Sequence, residues 1–180
     1  MPSVRWLALA LAGLLPAALS PVPTATIRVT PLVTEGRVSA SFSATEAFGE
    51  DAHAVVQSGL LLTFTFDVEL RRPSAIWLDH TLASLVTAST AKLDTLTGMY
   101  QVSKLIDANV VWSGRTSEEA QVKSWMTEFA GVRLEPSDRL QPNGEYYIRV
   151  RLHAAPRRFF SLWPWGQDDG MGRAAFTFIR

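Results

Sequence analysis

The chain has 180 residues and no cysteine, and its 17 basic side chains balance its 17 acidic ones. This length suits one domain, and the 47% content of hydrophobic residues can build a packed core, which excludes a wholly disordered protein. The charge balance, with a pI near 6.8, argues against a nucleic-acid partner. The absence of cysteine excludes disulfides, catalytic thiolates, zinc fingers and iron–sulfur clusters.

Residues 1–25 are predicted to be a signal peptide. Arg5 supplies a positive charge before the apolar run Trp6–Leu15, and small residues and prolines follow. This order is typical of a secretory signal, whereas a membrane-spanning helix needs about 20 apolar residues. A buried N-terminal helix, or an uncleaved anchor, is the alternative. We expect cleavage between Ser20 and Thr26, and a soluble, periplasmic protein with no transmembrane segment in its mature chain.

Alternating apolar and polar residues predict that most of the mature chain is β-structure. In the strongest predicted strand, Leu60–Arg71, six apolar side chains share one face: Leu60, Leu62, Phe64, Phe66, Val68 and Leu70. The opposite face carries Asp67 and Glu69, which we interpret as solvated. Further strands are predicted over Thr26–Val33, Arg37–Ala44, Asn109–Trp112, Tyr146–Leu152 and Ala174–Ile179, and a hairpin over Leu82–Leu96 and Met99–Lys104.

Two segments have helical patterns. The pattern is weak over Thr45–Ser58 and clear over Thr116–Ala130, where Thr116 and Glu119 fit a capping box and Gly131 fits a terminator. The apolar residues of the second helix form one stripe, made of Val122, Trp125, Met126 and Phe129. The fold class predicted is mainly β: an antiparallel β-sandwich, immunoglobulin-like in general architecture, with one or two helices packed on it, forming a single domain over residues 26–180.

The order of several segments carries a family resemblance. These segments are Leu60–Leu70 followed by Arg71-Arg72-Pro73, the Trp77-x-Asp79 step, Tyr100-Gln101-Val102-Ser103, Thr116-Ser117-Glu118-Glu119-Ala120, and Tyr146–Leu152. In this order the chain resembles, over residues 26 to 180, a bacterial family known as domain of unknown function 4390. The resemblance implies a small exported protein, in a family of which some members are encoded near sensor histidine kinases. It implies no activity and no catalytic residues.

Residues with catalytic potential are dispersed along the sequence. The histidines, His53, His80 and His153, lack the spacing of metal ligands, so we interpret them as surface or edge residues. The chain has no nucleophile elbow and no glycine-rich phosphate loop. Dispersed carboxylates such as Asp67, Glu69 and Asp79 could serve a hydrolase only if one were buried with a raised pKa. We therefore expect neither an enzyme nor a cofactor.

The most unusual stretch is Pro156–Gly172, called here the aromatic–arginine segment. Its predicted binding residues are Arg157, Arg158, Phe159, Phe160, Trp163 and Trp165. These rings either seal the open end of the sandwich or remain exposed as a docking patch beside the arginines. Asp168 and Asp169, between glycines, could hold a hard cation such as Ca²⁺, although an Asp-capped turn is the simpler explanation, so no metal is expected.

Three functions remain as hypotheses from the sequence. The first is a non-catalytic binding module of the cell envelope, whose partner is an envelope protein or a membrane-surface component. The second is a ligand- or signal-sensing accessory to a membrane sensor kinase, motivated by the family resemblance. The third, an envelope hydrolase that uses the dispersed carboxylates, has the least support because no catalytic set is visible.

Overall fold

The computed structural model describes residues 25–76, 78–134, 140–155 and 170–179. This part of the chain forms ten strands, two α-helices and one short 3₁₀ turn at Thr45–Ala47. The strands are β1 (Ala25–Thr26), β2 (Arg28–Thr34), β3 (Arg37–Ser43), β4 (Leu62–Arg72), β5 (His80–Asp94), β6 (Met99–Ile106), β7 (Asn109–Thr116), β8 (Glu128–Leu134), β9 (Gly144–Ala155) and β10 (Gly170–Phe178). The helices are α1 (Glu50–Gln57) and α2 (Glu119–Thr127).

The strands form two sheets. The larger has seven strands in the order β1-β10-β9-β4-β5-β6-β7, and the smaller has three in the order β2-β3-β8. Neighbouring strands are antiparallel, except that β1 runs parallel to β10. The prediction of a mainly β, antiparallel fold with one or two helices is therefore confirmed, and the helices are two.

Strand β4 is the centre of the core because it is paired along its length with β5 on one side and β9 on the other. Five of its six predicted inward residues, Leu62, Phe64, Phe66, Val68 and Leu70, are at most 1% exposed. The neighbouring strand β9 contributes Tyr146, Ile148, Val150 and Leu152 to the same core, as its alternation predicts. Leu60 precedes the strand and is 62% exposed, so the predicted face begins one alternation too early.

Three phenylalanines join the two sheets face to face. Phe66 of β4 lies 5.1 Å from Phe42 of β3 and 5.3 Å from Phe129 of β8, measured between ring centroids. Phe42 and Phe129 stack on each other at 4.9 Å. Aromatic pairs at these separations add to the stabilisation that burial of their apolar area provides. The small sheet therefore covers the apolar face of the large one in a sandwich-like arrangement.

The predicted helix Thr116–Ala130 is too long at both ends. Helix α2 ends at Thr127, and Phe129 and Gly131 belong to β8, which pairs with β3. Phe129 is thus buried between the two sheets and does not continue the helical stripe. The capping box is also wrong: the hydroxyl of Thr116 accepts the N–H of Glu118, and Glu118 occupies the N-cap without a side-chain hydrogen bond.

The weaker helical prediction, Thr45–Ser58, covers two separate elements. The 3₁₀ turn at Thr45–Ala47 and helix α1 are separated at Gly49, which is the extended N-cap residue of α1. Helix α1 buries Ala52 and Val56 against the core. Neither helix of the described ranges is long and apolar enough to cross a membrane.

Strand β10 begins four residues before the predicted Ala174, and glycine makes this extension possible. A Cβ atom at Gly170 would lie 2.4 Å from the carbonyl oxygen of Ala25, and one at Gly172 would lie 2.3 Å from that of Ile27. Both distances are shorter than side-chain atoms tolerate. The glycines therefore allow the backbone at the start of the described chain to approach β10 closely.

Candidate functional site

Charged side chains occupy the face of the large sheet that points away from the small one. They come from the polar positions of β4 and β9, where Glu69 lies opposite Arg149 and Asp67 lies opposite Arg151. We call this surface the outer charged face; its residues are Asp67, Glu69, Arg71, Arg149, Arg151 and His153. The alternation that fills the core with apolar residues places these charges on the other side of the same strands.

Glu69 is the centre of the outer charged face. Its carboxylate accepts hydrogen bonds from Arg149 at 2.6 and 3.1 Å and from Arg151 at 3.1 Å, and it lies 3.6 Å from Arg71. Its side chain is only 13% exposed, because these three guanidinium groups surround it. The interpretation of this face as solvated is therefore wrong for Glu69, which the arginines both neutralise and cover.

The histidines lie in three separate places, as their spacing predicts. His153 on β9 contacts Asp67 at 2.9 Å, and His53 on α1 lies 3.0 Å from Glu119. His80 begins β5, opposite Arg72 of β4. Within the described ranges, no group of three or more His, Asp and Glu side chains is arranged to hold a metal ion.

Asp79 and Tyr147 form the second polar contact of note. The hydroxyl of Tyr147 donates to the Asp79 carboxylate at 2.5 Å, and the N–H of Ser74 donates at 3.0 Å. The tyrosine hydrogen bond, more than any other contact, holds the pKa of Asp79 below its usual value, which keeps the carboxylate charged. Burial, and then this hydrogen bond, raises the pKa of Tyr147. The guanidinium of Arg173 stacks 3.6 Å from the tyrosine ring.

The chemical consequence for Asp79 is that it is a poor proton donor. A general acid that works near neutral pH needs a raised pKa, and that of Asp79 is lowered. Sequence inspection singled out Asp79 but missed Tyr147, because alternation along β9 separates Tyr147 from the core residues without showing that Asp79 lies next to it. Tyr147 lies opposite Arg71 on β4 and Ala175 on β10.

A groove of about 440 Å³ opens where α2 and β6 meet the small sheet. We call it the Lys104 groove. The lining residues that bear on its chemistry are Arg28, Lys104, Ser124, Trp125, Glu128 and Phe129. It combines two cations and one carboxylate with aromatic side chains, a mixture of groups that suits small-molecule binding.

Lys104 is the most unusual residue of this groove. Its ammonium donates to the backbone carbonyl of Glu128 at 2.7 Å and lies 5.1 Å from the ring of Phe129 and 5.7 Å from that of Trp112. Burial lowers the pKa of Lys104, and the charge of Glu128 opposes that shift. Sequence analysis missed this lysine. Its position offered a signal, because Tyr100, Val102 and Lys104 alternate onto the core side of the hairpin, where a charged side chain is unusual.

Strand β7 forms one edge of the seven-stranded sheet. In the described part of the chain it pairs only with β6. Three consecutive apolar residues in it are exposed, Val110 at 63%, Val111 at 57% and Trp112 at 37%. The ring of Trp112 also contacts Trp125 of α2, at 4.8 Å between centroids. The strand therefore presents unpaired backbone groups beside apolar side chains.

The binding residues predicted from the sequence belong to the aromatic–arginine segment. Arg157, Arg158, Phe159, Phe160, Trp163 and Trp165 lie outside the described residues, as do Asp168 and Asp169. Their roles in docking and in cation binding stay predictions from the sequence.

The family comparison covers most of the described structure. Residues 24–156 match the model of the family described as Domain of unknown function (DUF4390). The chain belongs to this family. The match includes the outer charged face, the Lys104 groove and β7, and it ends at the first residue of the aromatic–arginine segment. No curated protein and no solved structure matches the chain.

Replacing Glu69 with glutamine should destabilise the fold. The amide keeps the shape of the carboxylate but leaves three largely covered guanidinium groups without their shared counter-charge, and we expect a loss of about 1–3 kcal/mol. Urea unfolding monitored by fluorescence measures this loss. The matched control is Glu35→Gln, whose ion pair with Arg37 is exposed, and its effect should stay within about 0.5 kcal/mol. Equal midpoints for the two variants would contradict the prediction.

Tyr147→Phe should destabilise the protein in a pH-dependent way. Since the folded-state pKa of Asp79 is lowered, the tyrosine hydrogen bond contributes fully above the unfolded pKa of about 3.9. Its contribution to stability is lost as the pH falls through the lowered pKa of Asp79. The difference in free energy of unfolding between the native protein and the variant should therefore shrink in that pH range. Unfolding midpoints measured from pH 7 down to the acid limit test this.

The control for that series is Tyr146→Phe. The hydroxyl of Tyr146 accepts the N–H of Gln141 at 2.8 Å, a hydrogen bond between neutral groups. Its loss should cost the same stability across the acid range. A Tyr147→Phe effect that is equally constant with pH would show that Asp79 does not depend on the tyrosine.

Proposed function

We propose that the mature chain is a non-catalytic binding module of the cell envelope. It binds a partner protein when a strand of that partner pairs with the exposed edge of β7. The observation that carries the proposal is the exposed apolar edge at Val110–Trp112. Extended segments bind such edges because their backbone groups complete the sheet, while side chains on both faces provide selectivity.

The features that normally protect an edge strand are sparse in β7. Edge strands are commonly short, or carry proline or several charges, which discourages pairing with other chains. Strand β7 has eight residues, no proline and a single charged residue, Arg115. Its one register shift against β6 lies between Lys104 and Leu105, and pairing is regular from Trp112 to Thr116. The extra residue of this bulge is Val111, so a partner strand would meet a regular ladder from Trp112 to Thr116 and an irregular one at Val110 and Val111.

The side chains on the two faces of this edge indicate what the partner strand carries. On one face, Val110 lies opposite Leu105 of β6. On the other, Trp112 lies opposite Lys104 and packs against Trp125. Apolar groups thus flank the edge on both sides, so we infer that the partner supplies an extended segment with apolar residues in succession, as β7 itself does.

The state of the carboxylates supports a non-catalytic role. A hydrolase that used the dispersed acids would need one of them held protonated near neutral pH. Asp67 and Glu69 instead face Arg151 and Arg149, and the pKa of Asp79 is lowered. Asp67 and Glu69 act as ion-pair partners within the outer charged face, and Asp79 accepts hydrogen bonds from Tyr147 and Ser74.

The Lys104 groove favours a second candidate, a ligand-sensing accessory. Its volume of about 440 Å³ is within the range of small-molecule sites, roughly 300–1,000 Å³. In this alternative the module would report a bound ligand to a membrane sensor kinase, the association that the family resemblance implies. Strand addition depends on the β7 edge and ligand sensing on the cations Lys104 and Arg28, so the two can be tested separately.

Export is the first requirement of both candidates. We expect the full chain, expressed in a Gram-negative bacterium, to be recovered from the periplasm with an N-terminus between Ser20 and Thr26. A charge within the apolar run, in the variant Leu11→Arg, should retain the chain inside the cell because it disrupts the segment that export requires. N-terminal sequencing of the fractionated protein is the measurement. An intact, unprocessed chain in the cytosol or the membrane would contradict export by cleavage.

Strand addition predicts contact of the partner with β7 in the envelope. A photo-crosslinking residue at Val111 should capture a discrete partner, whereas one at Leu96, 96% exposed in the β5–β6 turn, should not. With the purified pair, hydrogen exchange of the β7 amides should slow on binding, because the added strand accepts and shields them. Val110→Lys should weaken the complex by about tenfold or more.

Two further outcomes would overturn strand addition. If Trp163→Ala with Arg158→Glu abolishes capture while Val110→Lys leaves it intact, the contact is the aromatic–arginine segment. If the purified chain forms dimers that protect β7 amides, the edge is covered by a second copy and not by a different protein. Unchanged β7 exchange in the complex would place the contact elsewhere.

A further inference from the structure

We propose that the Lys104 groove binds a small organic anion, whose carboxylate contacts Lys104 and Arg28 and whose flat apolar part lies against Trp125 and Phe129. This inference deepens the second candidate function by naming a ligand class. It does not depend on strand addition at β7, because the groove lies on the core side of β6, beside α2 and β8.

The two cations of the groove have unused hydrogen-bonding capacity. An ammonium has three N–H donors, and the Lys104 group uses one of them on the Glu128 carbonyl. Neither Lys104 nor Arg28 forms an ion pair within the described ranges. The Glu128 carboxylate accepts instead from the hydroxyl of Ser124 at 3.0 Å. Two cations thus line the groove with donors left for a ligand.

The charge of Lys104 lies in an environment that favours an anion. The ammonium is partly buried between the rings of Trp112 and Phe129, whose faces attract a cation but provide no counter-charge. A charge in such surroundings interacts strongly with an incoming anion, since less water screens the pair. The lowered pKa of Lys104, caused by burial, agrees with this geometry. A bound carboxylate would raise that pKa again.

The size and the walls of the groove indicate the size and shape of the ligand. A groove of about 440 Å³ is far larger than an inorganic anion needs, and aromatic side chains form part of its wall. Trp125 is held by its contact with Trp112, and Phe129 by stacking on Phe42. Held in this way, the rings provide flat apolar surfaces against which a planar group can pack. The groove therefore fits an anion with an apolar body.

The test uses benzoate as the probe and the purified mature chain. We expect benzoate to shift the backbone NMR signals of Ser124, Trp125 and Glu128 in a saturable titration. Lys104→Met, which keeps the length of the side chain and removes its charge, should weaken binding by roughly tenfold or more. The matched control is Lys92→Met, an exposed lysine on neighbouring β5, which should bind benzoate as the native chain does.

Three probes separate the parts of the proposal. Benzamide, the neutral counterpart, should bind at least about tenfold more weakly than benzoate, and inorganic phosphate and acetate should also bind more weakly. Equal binding of benzamide would overturn the role of charge, and equal binding of phosphate or acetate would overturn the role of the rings. Benzoate binding that survives Lys104→Met unchanged would overturn the site itself.

A second variant keeps the test decisive if Lys104→Met does not fold. Arg28 is exposed at the start of β2, so Arg28→Gln should fold and still lose several-fold in affinity for benzoate.

Binding of benzoate to the native chain should also weaken as the pH rises through the lowered pKa of Lys104, because the ammonium then loses its charge. If neither Arg28→Gln nor alkaline pH changes the affinity for benzoate, the proposal is refuted. Absence of benzoate binding would not change the expected slowing of hydrogen exchange at the β7 amides in a protein complex. The failure of one proposal can therefore be distinguished from the failure of the other.

Discussion

The pairing of β4 with both β5 and β9 is the constraint on which the rest of the structure depends. This pairing fixes the direction of every side chain on β4. Phe66 is thereby directed into the contact with Phe42 and Phe129 that joins the two sheets. The same register places Glu69 opposite Arg149 on the other face. A slip of one residue would exchange these faces and bury carboxylates against phenylalanines, which is energetically prohibitive.

This register also explains why the outer charged face is a structural feature first. Its arginines and carboxylates neutralise one another on neighbouring strands, and together they cover a sheet surface that no helix of the described chain packs on. The surfaces with unused hydrogen-bonding groups lie elsewhere, at the β7 edge and in the Lys104 groove. Trp112 belongs to both regions, because it lies in β7 and its ring contacts Trp125 and approaches Lys104. A ligand and a partner strand would thus meet at the same pair of indole rings.

Much of the fold was predictable from the local pattern of the sequence, while the candidate sites were not. Alternation identified the apolar faces of β3, β4 and β9, since burial on one side of a strand leaves a period of two. It failed beyond Thr127, where the helical spacing of Phe129 competed with pairing between β8 and β3, and the pairing prevailed. It also misjudged Glu69, because the spacing of acids along one strand says nothing about arginines 80 residues away.

The sequence by itself determined the class of the protein: its β-rich character, its family and the apolar content of its central strand. These properties follow from local periodicity and from the order of segments, both of which the amino-acid sequence contains directly. Only the tertiary structure decided which strands are neighbours, that Lys104 lies between two aromatic rings and that β7 is an edge. Such properties arise from contacts between segments distant in the chain, and their energies depend on burial and register that no local pattern contains.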